Sequence, residues 1–253
     1  MLPSRFTGLA DDALDGVARY WNGACPFKTR VVDVVSASVP TAERLIIQIV
    51  HRMTQHSDDG AMRDQAQMLI RHEAMHMKLH HQLNDRLRAQ GLPIDELEAV
   101  VHDEVSRVLA FRSRHWQMGY AAALEFLGGL VSSCLLDNRV DTLRSADPTM
   151  RELYLQHAAD EIAHAHVVPS ITRSSRLGYL TRVMPMIHVT FKSVYLTMWF
   201  TNRMLHRDGI GRLRRWGLLT LGWWWLVFGT ILPLLPQYLR FYSRSFVAEA
   251  AVP

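Results

Sequence analysis

Two stretches of this chain repeat one signature, Glu73-Ala74-Met75-His76 and Glu161-Ile162-Ala163-His164, each inside a run with helical periodicity. Residues three apart on an α-helix share a face, so each stretch presents a carboxylate and an imidazole side by side. Both pairs interrupt apolar stripes. The first stripe reads Met62, Ala66, Leu69, Glu73, His76, His80, Leu83, Leu87, and the second reads Met150, Tyr154, His157, Glu161, His164, Val168. Burying such groups is costly unless something satisfies them. The chain must therefore fold into helices whose polar residues meet each other, or a ligand, inside the molecule.

The remaining pattern is helical as well. Apolar residues Leu45, Ile46, Ile49, Val50 and Met53 follow Pro40, so Thr41 is the expected cap of a first helix, with Glu43 on its buried side. A second helix is expected over about 61–90, ended by Gly91 and Pro93, and a short crossover helix over about 94–109. The third long helix, about 113–136, carries the stripe Met118, Ala121, Glu125, Gly128, Ser132. Asp147-Pro148 marks the start of the fourth, as an N-cap followed by proline at the first helical position, and Pro169 marks its expected end.

Each Glu-x-x-His helix thus follows a helix with one inward glutamate, Glu43 or Glu125. The order Glu, Glu-x-x-His, Glu, Glu-x-x-His is that of ferritin-like dinuclear carboxylate bundles. It makes Glu43, Glu73, His76, Glu125, Glu161 and His164 the expected ligands of two divalent metal ions, whose charge removes the repulsion among four confined carboxylates. The expected fold is all-α: a ferritin-like four-helix bundle with additional C-terminal hydrophobic helices. Asp160 and His72 each precede a motif glutamate and are candidates to orient a ligand, with a solvent-facing role as the alternative. His80 and His157 extend the polar track by one turn. They are assigned the same supporting role, with substrate contact or direct ligation as alternatives. An overlapping pattern, His72-Glu73-Ala74-Met75-His76, also matches the H-E-x-x-H zinc-protease motif, but that leaves the second pair unexplained and supplies no third ligand.

Charge divides the chain. From residue 171 onward there are eleven Lys and Arg against two acids, whereas the first 170 residues carry seventeen against twenty-two. Five Trp in the basic part favour a membrane surface or bilayer over nucleic acid. Residues 216–239 contain no formal charge, long enough for a spanning helix, although Pro233 and Pro236 are expected to break it. A helix over about 177–204, interrupted by Pro185, precedes this stretch. The expected organisation is a metal-binding bundle with an N-terminal extension over 1–170, and a basic, aromatic-rich extension over 171–253 that associates with membrane. Two cysteines, Cys25 and Cys134, exclude a disulfide framework, and residues 1–32 hold no apolar run of signal-peptide length. These features place the body in the cytoplasm, against the inner face of the cytoplasmic membrane.

In several of these segments the chain resembles a bacterial family catalogued as predicted metal-dependent hydrolases, with ferritin-like character. The matching pieces are Val39-Pro40-Thr41-Ala42-Glu43-Arg44, the run from Glu73 through His76, His80 and His81 to Asn84, Ala123-Leu124-Glu125, and the run from His157 through Asp160 and Glu161 to His164. Ala42 stands where the family pattern has Gly, and His72 where it has Gln. The resemblance implies a metal-dependent hydrolase.

Chemistry favours iron or manganese in an oxygen-dominated donor set over a structural zinc, although zinc remains compatible. A membrane-seeking tail beside such a site points first to oxygen-dependent oxidation of a hydrophobic or lipid-like substrate at a diiron-type centre. Metal-dependent hydrolysis and a non-enzymatic, membrane-tethered metal-binding role are the alternatives.

Overall fold

A computed structural model describes residues 13–137, 142–164, 167–168, 177–244 and 246. Among the described residues the fold is all-α, with one isolated β-bridge between Asn22 and Ala146. Five helices come first: α1 (Pro26–Thr54), α2 (Gly60–Ala89), α3 (Ile94–Phe111), α4 (Arg114–Leu136) and α5 (Pro148–His164). They are followed by α6 (Tyr179–Arg207), α7 (Arg212–Leu226), a π-helical turn (Val227–Ile231) and α8 (Leu232–Arg240).

The helix carrying Glu43 begins at Pro26, not at Thr41. Phe27, Val31, Val34 and Ala37 share one face and are all buried, and that burial outweighs the penalty of a proline inside the helix. Proline removes a backbone donor and crowds the preceding turn. In that turn Asn84 Nδ2 of α2 donates to the Ala37 carbonyl at 3.2 Å. Residues 26–40 are therefore the first half of the helix that carries Glu43. The other starts lie close to expectation: Asp59 accepts from the Met62 N–H, Ser113 from Trp116 and Asp147 from Thr149. The expected end at Pro169 lies outside the described residues, as does the division between residues 170 and 171.

The glutamate-bearing helices form two hairpins, α1 on α2 and α4 on α5, which meet through α1–α4 and α2–α5 contacts. Leu45, Ile49, Leu69, Ala121, Phe126, Met186 and Phe241 belong to one core, so α6 and the residue just after α8 pack into the same interior as the hairpins. Helix α6 rests on both α1 and α4, while α7 touches α1 and α8 touches α4. Gly119 makes the α4–α6 approach possible, because a Cβ there would lie 2.0 Å from the Thr181 carbonyl oxygen. At the other end of the core, buried Arg30 is held by Asp33 at 2.7 Å and by Asp208 at 2.8 Å.

Among the described residues two helical runs are long and apolar enough to cross a membrane by length and composition alone, α4 and the continuous stretch Arg212–Arg240. The first is largely buried as a core helix, whereas in the second Gly222 alone is buried and the other residues are half-buried or exposed. The expected break at Pro233 and Pro236 does not occur. The π-helical turn just before Pro233 absorbs the missing donor, with the Leu232 N–H reaching back to the Val227 carbonyl, and the helical path continues to Arg240.

Candidate metal centre

All six predicted ligands point into the space between the two hairpins. Glu43, Glu73, His76, Glu125 and His164 are at most 4% exposed, and the Glu161 side chain is 12% exposed. His76 Nδ1 lies 3.6 Å from Glu43 Oε1, 3.7 Å from Glu73 Oε2 and 3.5 Å from Glu161 Oε1. His164 Nδ1 lies 2.8 Å from Glu73 Oε1 and 3.7 Å from Glu161 Oε1. Two overlapping sets of donor atoms result, each with all members within 4.8 Å of one another. One set is Glu43, His76, His157 and Glu161, and the other is Glu73, His76, Glu161 and His164. A neutral imidazole has one nitrogen free to ligate, so His76 can serve one cation, while the Glu161 carboxylate can be common to both.

These atoms converge on shared points instead of bonding to each other. Glu43 Oε2, both oxygens of Glu73 and of Glu125, Glu161 Oε1, and the Nδ1 atoms of His76 and His164 are buried without a hydrogen-bond partner. Even the 2.8 Å approach of His164 to Glu73 lacks hydrogen-bond geometry. Native interiors rarely leave so many polar atoms unpaired in one place. Divalent cations fit this donor set, since carboxylate oxygens and imidazole nitrogens are their usual ligands.

The two histidines are braced reciprocally. His76 turns its Nε2 to Asp160 Oδ2 at 3.2 Å, and His164 turns its Nε2 to His72 Nδ1 at 3.0 Å. The residue before the motif glutamate on each helix thus holds the imidazole of the other motif, leaving both Nδ1 atoms aimed at the carboxylates. This is the usual way a metal-binding histidine is oriented. Because His72 is occupied in this way and joins neither donor set, the H-E-x-x-H alternative has no support.

Electrostatics follow from burial and crowding. Burial pushes the Glu43 and Glu125 carboxyls well above the usual carboxylate range, and the charges of Glu73 and Glu161 push them further. Burial also acts to raise Glu73 and Glu161, but His164 and His76 outweigh it and hold both below the ordinary value. Burial opposes charging of His164, yet Glu161 and Glu73 raise it to about 10. The same opposition is overcome at His76 by Asp160, Glu161, Glu43 and Glu73, which raise it strongly. Cations taking the place of those protons neutralise the same carboxylates.

Position distinguishes the remaining candidates. Glu125 stays outside both compact sets, although it is fully buried and feels the charges of Glu73 and Glu161. His157, assigned a supporting role from sequence, is a member of the first set, and its place one turn before Glu161 on the same stripe was the available signal. Burial lowers it to about 4 and lowers His80 well below its usual value. A polar track leads away from the site, from His157 Nδ1 to His80 Nε2 at 3.5 Å and from His80 Nδ1 to Ser36 Oγ at 2.8 Å. Ser36, on the half of α1 before Pro40, had no sequence signal of its own. Gly128 on α4 leaves room for the Glu161 carboxylate, since a Cβ there would sit 2.8 Å from its Oε2.

A family model described as predicted metal-dependent hydrolase matches residues 9–249, nearly the whole chain. The chain belongs to this family. No curated protein and no solved structure matches it. Membership supports metal dependence and hydrolysis, the second of the activities expected from sequence, and nothing in it supports oxidation. The family's extent also takes in the C-terminal helices along with both Glu-x-x-His motifs.

Proposed function

We propose that this protein is a metal-dependent hydrolase whose centre holds two divalent cations in a ferritin-like arrangement. Glu43, Glu73, His76, Glu125, Glu161 and His164 would hold them, with His157 as a further donor. The observation that carries this assignment is the convergence of buried, unpartnered carboxylate oxygens and Nδ1 atoms on two overlapping points. Family membership supplies the reaction class. When bound, divalent cations supply Lewis-acid polarisation and a nucleophile from water at neutral pH, which suits an ester or phosphoester substrate. The chain's own groups do the rest. Asp160 and His72 fix the two imidazoles, Gly128 sets the place of Glu161, and His80 and Ser36 continue the polar track that begins at His157. Oxygen-rich ligation favours manganese or iron over a structural zinc.

Turnover of p-nitrophenyl esters and bis(p-nitrophenyl) phosphate under argon tests this, using full-length protein stripped with chelator and reloaded with Mn, Fe(II) or Zn. Metal-restored hydrolysis without oxygen, and its loss in Glu161→Gln together with the metal content, is expected. Turnover that requires oxygen would restore the oxidase alternative, and failure to take up metal would refute the centre itself.

A further inference from the structure

Helices α6 and α7–α8 form an antiparallel pair lying as one layer across α1 and α4. Arg215 Nε donates to Asn202 Oδ1 near one end and Thr190 Oγ1 meets Tyr238 Oη near the other. The side of α7–α8 facing away from the body carries Leu213, Leu221, Trp224, Phe228, Leu232 and Leu239, each 45–86% exposed. Their spacing puts them on one helical stripe. Helix α6 adds its own outward row of Leu180, Met184, Phe191 and Tyr195, each 45–74% exposed. An apolar surface of this extent on a protein marks an interaction face.

We infer that this layer docks flat on an anionic lipid bilayer, with α7–α8 parallel to the membrane plane and not crossing it. Two observations decide the orientation. First, α7–α8 is fastened to the body along its length, so an upright crossing would drag charged helices into hydrocarbon. A Cβ on Gly222 would lie 2.3 Å from the Phe27 ring of α1, and Lys28 sits over the Trp225 ring at 5.0 Å. Second, basic residues flank the charge-free segment at both ends: Arg212 and Arg214 before it, Arg240 and Arg244 after it, all exposed. A spanning helix concentrates its Lys and Arg on one side of the membrane, whereas an in-plane helix offers arginines at both ends to the same leaflet. Those arginines select the anionic headgroups.

Flotation of the full chain with vesicles of phosphatidylcholine alone, or with 30% phosphatidylglycerol, measures the docking. Binding is expected with the anionic vesicles, weaker by about tenfold without the anionic lipid or in high salt, and weaker again by about tenfold in Trp224→Glu/Phe228→Glu. Both substituted side chains are exposed, and circular dichroism together with metal content verifies that the variant is folded. Gly211→Cys and Ser243→Cys, labelled with a membrane-impermeant maleimide after vesicle binding, should both react from outside. Protection of one end would overturn the in-plane orientation. Absence of binding to either vesicle overturns the proposal, and so does a soluble dimer that Trp224→Glu/Phe228→Glu dissociates. None of these results depends on hydrolytic activity.

Discussion

Replacing Gly128 with alanine separates site geometry from fold stability. The new Cβ would stand 2.8 Å from Glu161 Oε2, against an ordinary contact of about 3.4 Å, so the carboxylate must retreat by about 0.6 Å. Metal sites hold their ligand distances to about 0.2 Å, and a disturbed supporting group costs about 10–100-fold in affinity. Alanine meanwhile favours the helix interior by up to about 1 kcal/mol over glycine. The substitution therefore moves two observables in opposite directions. Metal-free Gly128→Ala should melt no lower than the parent, and up to about 2–4 °C higher. Its affinity for Mn or Zn, measured by calorimetric titration against a competing chelator, should fall about 10–100-fold, equivalent to about 1.4–2.7 kcal/mol. Undiminished affinity would show that Glu161 does not ligate from its present position. A lower metal-free melting point with unchanged affinity would place Gly128 in packing alone.

Other expectations concern the braces and the core. His72→Gln keeps a side-chain group for His164 Nε2 and should bind metal within about threefold of the parent, whereas His72→Ala should lose about tenfold by the same titration. Asp208→Asn leaves the buried Arg30 guanidinium with reduced compensation and should cost about 3–5 kcal/mol in denaturant unfolding. Burial tends to raise the Asp208 carboxyl, but Arg30 and Arg19 hold it below its ordinary value. Its contribution is therefore complete above the unfolded value of about 3.9 and is lost as pH falls through the lower folded value, which acid unfolding of parent and Asp208→Asn will compare. Gly119→Ala drives a Cβ into the Thr181 backbone and should destabilise by about 1–3 kcal/mol or more, read as a lower melting temperature.

Much of the candidate site was legible because helical spacing is a local property. The two Glu-x-x-His pairs, with Glu43 and Glu125 on the preceding helices, could be placed on inward faces from apolar neighbours alone. The early start of α1 was not legible, since a proline inside a helix is tolerated only where packing outweighs its cost, and the burial of Phe27, Val31, Val34 and Ala37 is a tertiary fact. The unbroken path through Pro233 was hidden for a similar reason, because a π-helical turn has no compositional mark. For His157 the stripe left support, substrate contact and direct ligation open. Its place beside Glu43 and His76 depends on how α5 lies against the α1–α2 hairpin, which no pattern within α5 specifies. The same limit applies to Glu125, whose inward direction was readable but whose distance from the compact donor sets was not.

The reciprocal braces have a consequence for how the molecule assembles. Within the α1–α2 hairpin, Glu43, Glu73 and His76 lie close in sequence and can meet early, as short-range contacts form fastest. The braces join residues 84 and 92 positions apart, so neither imidazole is held until the second hairpin arrives. Closure of those long loops is a single event for both motifs, because each hairpin carries the brace that the other lacks. Neither half can ripen alone, and a chain stalled after its first hairpin holds three candidate ligands but no oriented histidine.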